Sequence, residues 1–157
     1  SYEQKKLNIT GILHKYRFLL MLLLILLIPQ IILGTNVRES IDVLKAQSGA
    51  NFNNLWLDNI DFSFYIHRTF SWVFLILSGY LGLKVFKDYN ADSREFRAVT
   101  LLVVIVALEI VFGVSMYLFN IPSFLQPLHL LFGTLLFGLT LYLYLLANGI
   151  HNKIKLA

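Results

Sequence analysis

Four apolar runs, each about as long as a bilayer is thick, constrain what this chain can fold into. They lie at 18–37, 63–83, 98–119 and 127–147. Each is hydrophobic on every side, so the surroundings that suit them are lipid and one another. Only 14% of the 157 residues are charged and 57% are hydrophobic, whereas a soluble domain carries about 25% charge. Helices are the expected spanning form, because each satisfies its own backbone hydrogen bonds within the lipid. The expectation is therefore an all-α membrane protein, with a bundle over 18–148 between an N-terminal segment, 1–17, and a tail, 149–157.

Charge placement orients the spans. Lys5, Lys6, Lys15, Arg17, Lys84, Lys87, Arg94, Arg97, Lys153 and Lys155 all fall on one side. Arg38 and Lys45 fall on the other, and Arg68 sits just inside the second span. The positive-inside rule puts both termini in the cytoplasm. The net charge of +4 thus describes topology. Without a basic patch interleaved with aromatics, lipid and not nucleic acid is the expected partner. The first run is too long for a cleavable signal, and no small-residue cleavage site follows it. The absence of cysteine excludes disulfides, thiolate ligation, iron–sulfur clusters and covalent haem attachment. Because the chain opens on Ser1, it is expected to be processed or to be part of something longer.

One unit is used twice. The first run contains QIILG (30–34) and the third EIVFG (109–113), each with a polar residue four positions before a glycine. The second and fourth open on IHRTFS (66–71) and LHLLFG (128–133). Two such repeated helical hairpins make an antiparallel four-helix transmembrane bundle with a pseudo-twofold axis along the membrane normal. That axis relates His67 to His129, at matched depth near the outer edge.

A single intramembrane histidine is readily explained by a hydrogen bond across helices. A matched pair favours metal ligation, and the axial pair of a haem is the best fit. No cysteine and no carboxylate at ligand spacing on those helices favours zinc or copper. Ser71 and Gly133 lie four residues on from the histidines, about 6 Å deeper on the same face. They supply clearance for a flat macrocycle, close helix packing, or both. Arg68 either pairs with a haem propionate or snorkels to the interface, and Arg38 is a second propionate candidate. Glu109 and its counterpart Gln30 read as hydrogen bonds between helices in preference to proton transfer. Pro29 is expected to kink the first span. Trp56, with Phe52 in the 38–62 loop, suits the interface belt, and His14 and His151 read as surface residues.

The phrases PQIILGTNVRESID (29–42), NLWL (54–57), FYIHRTFSW (64–72), LEIVFGVSMY (108–117) and QPLHLLFGTLLFG (126–138) together resemble the C-terminal half of haem A synthase. The likeness covers nearly all of 20–147 and looks closest to versions from the Bacteroidota. That enzyme, of the bacterial inner membrane, oxidises a methyl group of haem O to make haem A for terminal oxidases. The resemblance implies that His67 and His129 bind a haem b that serves electron transfer or structural support. It implies as partners an N-terminal substrate-haem half or a second copy, and terminal oxidase or respiratory complex components. In the family's N-terminal half a catalytic glutamate stands three residues before the first histidine. Here those positions are Phe64 and Gln126, so the oxidation chemistry is not expected in this segment and no catalytic residue is assigned. Two other classes stay open. One is a stand-alone transmembrane cytochrome b subunit of a respiratory complex, and the other a metal-free scaffold with hydrogen-bonded histidines.

Overall fold

In a computed structural model, which describes residues 13–48, 59–88 and 91–149, each apolar run becomes one helix. These are α1 (Arg17–Ser48), α2 (Phe62–Asp88), α3 (Arg94–Leu118) and α4 (Leu125–Ala147). All four are long and apolar enough to cross a membrane, and no strand occurs among the described residues. The protein is a multi-pass, all-helical membrane protein. Helix α1 packs on α2 and α4, and α3 packs on the same two, which closes a four-helix ring. Neighbours run antiparallel. Tyr16, just before α1, bonds Asp88 at the end of α2, while Lys45 late in α1 donates to the Ile121 carbonyl between α3 and α4. The near end thus holds the start of α1 and the α2–α3 connection. The far end holds the other two connections.

Helix α1 outlasts its apolar run. Residues 38–48, expected as loop, continue it as helix. No glycine or proline interrupts 38–47, an Arg38–Asp42 pair spans one turn at 3.8 Å, and Val37 and Ile41 stay buried. Pro29 lies inside α1 without ending it; its missing N–H costs one backbone bond. The α3–α4 connection turns through left-handed backbone at Asn120 and Ile121, at φ 56° and 58°. The Ile121 N–H returns to the Met116 carbonyl at 2.8 Å, a Schellman-type stop. A β-branched residue resists this conformation, and burial of Ile121 against Val37 and Ile41 offsets that cost. Ser93 caps α3, its hydroxyl accepting from the Phe96 N–H at 3.1 Å.

The near half is close-packed along one seam per helix. Leu13, Tyr16, Leu20, Leu23 and Leu27 lead into and along α1, and Phe74, Ser78, Leu81 and Val85 line α2. Glu95, Val99, Leu102 and Val106 line α3, and Leu136, Thr140, Leu143 and Ala147 line α4. The steps alternate between three and four residues, the signature of left-handed bundle packing. Ser78 and Thr140 are fully buried, yet their hydroxyls donate to the carbonyls of Leu75 and Leu136 on their own helices, leaving no orphan donor.

The near end carries its own pH dependence. Burial first, then the hydrogen bond to and charge of Asp88, push the Tyr16 phenol from 10.0 up to about 12. A raised folded value means that the neutral phenol stabilises the fold below pH 10 and that this contribution fades as pH rises through about 12. Thermal unfolding in detergent is expected to lose stability across that window in the parent chain. Tyr16→Phe should lack that loss, and should start about 1 kcal/mol lower for the missing hydrogen bond. Parallel pH curves for the two proteins would contradict the assignment.

Candidate haem-binding layer

The four seams change chemistry at one level. Continued toward the far end at the same spacing, α1 presents Gln30 and Gly34 after Leu27, and α3 presents Glu109 and Gly113 after Val106. Helix α2 presents Ser71 and His67 beyond Phe74, and α4 presents Gly133 and His129 beyond Leu136. Leucine and valine give way to glutamine, glutamate, histidine and glycine on all four helices with no break in the helices themselves. Farther out a small apolar cluster resumes, with Val37, Ile41 and Ile121 at its core and Leu44, Ile60 and Phe64 packed against it. The bundle therefore encloses a polar layer between a leucine-rich core and an apolar cap.

Unsatisfied groups concentrate there. Among the described residues, five buried side-chain atoms lack a hydrogen-bond partner: Gln30 Oε1, Ser63 Oγ, His67 Nδ1, Glu109 Oε1 and His129 Nδ1. Four belong to the layer, and Ser63 stands one turn from His67. Each such orphan costs about 1–3 kcal/mol, and native interiors hold few of them. They gather around two imidazoles.

The two histidine rings face each other across the bundle with centroids 6.3 Å apart and planes at 82°. Metal–imidazole bonds of about 2 Å put the centroids of two rings on one metal about 6 Å apart. The spacing thus suits a shared metal. Among the described residues no third histidine or carboxylate joins them as a metal-holding group, and an iron within a macrocycle needs only such an axial pair.

The hairpins support their histidines differently. On the first, the Gln30 amide donates to the Ser71 hydroxyl at 2.7 Å and to the His67 carbonyl at 3.1 Å, and Ser71 donates to that same carbonyl at 2.9 Å. Gly34 backs the ring: a Cβ there would lie 3.1 Å from His67 Cε1. On the second, Glu109 Oε2 comes within 2.7 Å of His129 Nδ1, but out of line for a hydrogen bond. Gly113, the repeat mate of Gly34, faces open space, and a Cβ on Gly133 would meet only Glu109 Oε2 at 4.0 Å. Phe112 and Phe132 pack together beside them at 5.4 Å.

His67, His129, Ser71 and Gly133 thus come together in one layer. The arginines stand outside it. Arg68 is exposed, 5.9 Å from the ring centres of Phe64 and Tyr65, and Arg38 is exposed beside Asp42. His14 is exposed and pairs with Arg17 at 2.8 Å. Phe52, Trp56 and His151 lie outside the described residues. A solvent-open groove at the far end, lined by Asn36, Glu39, Ser40 and Asp61, shares no residue with the layer. The sequence reading gave Glu109 a bond between helices but did not connect it with His129. The signal was present: Glu109 lies three residues beyond Val106 on the seam, level with Gly133.

Compared with known proteins, residues 3–141 match the sequence model of COX15-CtaA, a family described as cytochrome oxidase assembly protein. No curated protein and no solved structure matches the chain.

Proposed function

Since the chain belongs to this cytochrome oxidase assembly family, whose members are haem A synthase-like, we propose that its four helices form the haem b-binding half of a haem A synthase. His67 and His129 would hold the haem iron. The observation that carries this reading is the pair of facing imidazoles, 6.3 Å apart, in the one layer where buried polar atoms stand unpartnered. A haem held there supplies a one-electron couple, and two protein ligands leave its iron no open position, which suits electron transfer.

The surrounding residues have definable tasks. Gln30 and Ser71 hold the α2 backbone at His67, while Gly34 lets α1 approach the ring. The leucine-rich core and the Val37–Ile41–Ile121 cluster keep water from the layer, so that electrostatic interactions within it are strengthened. Arg38 and Arg68 offer exposed guanidinium groups to propionates at the far end. Phe64 and Gln126 stand where a catalytic acid would precede each histidine, so oxidation of haem O belongs to a partner half, on another segment or another copy. The near end faces the cytoplasm by the distribution of lysine and arginine.

The test is a reduced-minus-oxidised spectrum with pyridine haemochrome analysis on the chain purified in detergent. The expected result is low-spin b-type bands at one haem per chain. Protein that purifies folded but takes up no haem, even when haem is supplied, would overturn the reading.

A further inference from the structure

The repeat that pairs Gln30 with Glu109 is broken in function. Gln30 spends its side-chain amide on the His67 carbonyl and the Ser71 hydroxyl of α2, and its main chain lies beside the His67 ring. Glu109 comes to 2.7 Å from a ring nitrogen of His129. We propose that Glu109 is the positioning residue for His129, accepting a hydrogen bond from its Nδ1–H when the other ring nitrogen is the ligand, and holding that ring crosswise to His67.

Three observations point this way. The His67 and His129 planes stand at 82°. At His67 the α1 main chain stands close, a Cβ on Gly34 falling 3.1 Å from Cε1, whereas a Cβ on Gly113 in the second hairpin would meet nothing within 4 Å. Glu109 Oε2 lies 2.7 Å from His129 Nδ1, with Gly133 leaving room for that carboxylate. Ligating imidazoles generally give their second N–H to a carboxylate or carbonyl, which fixes the ring and raises its donor strength. The two ligands of this layer are then unequal: His129 is backed by a carboxylate and His67 is not.

The inference rests on haem binding between the two histidines, and its test is separable from that reading. Crossed imidazole planes leave the two iron orbitals that face them nearly equal in energy, which gives ferric low-spin haem a strongly anisotropic EPR signal. The parent chain is expected to show it. In Glu109→Leu the acceptor is gone, and the signal should broaden or move toward the rhombic form of more parallel rings. Glu109→Gln keeps an acceptor oxygen but not the carboxylate's donor-strengthening effect. It should retain the parent EPR signal while its midpoint potential shifts to more positive values. Glu109→Leu with the parent's EPR signal and potential would overturn the proposal. If that variant does not fold, an unshifted potential in Glu109→Gln would overturn it equally. A parent chain that binds no haem sinks the haem reading instead.

Discussion

His67→Ala and His129→Ala are each expected to lose haem without losing the fold. His67 Nδ1 has no hydrogen-bond partner, so truncation of His67 removes a buried unpartnered polar atom, whereas truncation of His129 also removes its 2.7 Å pairing with Glu109 across α3 and α4. Leaving such an atom in place costs about 1–3 kcal/mol, and its removal offsets the lost ring packing. Apoprotein melting temperature in detergent should therefore stay level or rise in His67→Ala and fall modestly in His129→Ala. Haem retention should fall at least tenfold, equivalent to about 1.4 kcal/mol, because an axial bond is gone and nothing in the layer replaces it. Gln30→Ala is the useful contrast. It breaks two hydrogen bonds between α1 and α2, so it should lower apoprotein stability by about 1–2 kcal/mol while leaving both ligands in place. The pattern to look for is a crossover: a His67 variant that melts like the parent but is colourless, and a Gln30 variant that melts early but is coloured. Histidine variants that unfold while Gln30→Ala does not would assign the rings a structural role and count against ligation.

Much of this architecture was legible in the residues because the repeat and the seam are both written in one dimension. Length and apolarity mark the four helices, and the spacing of Gln30 from Gly34, and of His67 from Ser71, repeats at Glu109–Gly113 and His129–Gly133. A fixed spacing on a helix fixes a face, so level and facing direction follow without any knowledge of contacts. Three features did not follow. Polarity hid the extension of α1 to Ser48, because Arg38, Glu39, Asp42 and Lys45 resemble loop; what keeps them helical is one buried stripe, Val37 and Ile41, meeting Ile121 from the other connection. The resting place of the Arg68 guanidinium, 5.9 Å from the ring centres of Phe64 and Tyr65, is a tertiary detail. The inequality of the two hairpins is a matter of tertiary packing. Identical glycine spacing ends in a contact with His67 at one site and in open space at the other, and sequence symmetry predicts the opposite.

That inequality yields the second large effect. Gly34→Leu and Gly113→Leu make the same change at symmetry-related positions, and both are expected to abolish haem binding, for different reasons. At Gly34 the first added carbon already lies 3.1 Å from His67 Cε1, and the rest of a leucine side chain must overlap the ring or drive α1 from α2. Overpacking of this kind costs about 1–3 kcal/mol, so the apoprotein should melt earlier. At Gly113 the first added carbon meets nothing within 4 Å. The leucine replaces a poor helix former with a good one, worth about 0.8–1 kcal/mol, so the apoprotein should melt at the same temperature or later. Yet the space it fills lies on the inward seam, one turn from Glu109 and on the far side of it from Val106, where the proposed haem between His67 and His129 would extend. Haem titration of the two variants, read beside apoprotein melting, separates the causes. Full haem uptake by Gly113→Leu would mean that the macrocycle does not extend past α3, and would move the group away from the second hairpin even if both histidines remained its ligands.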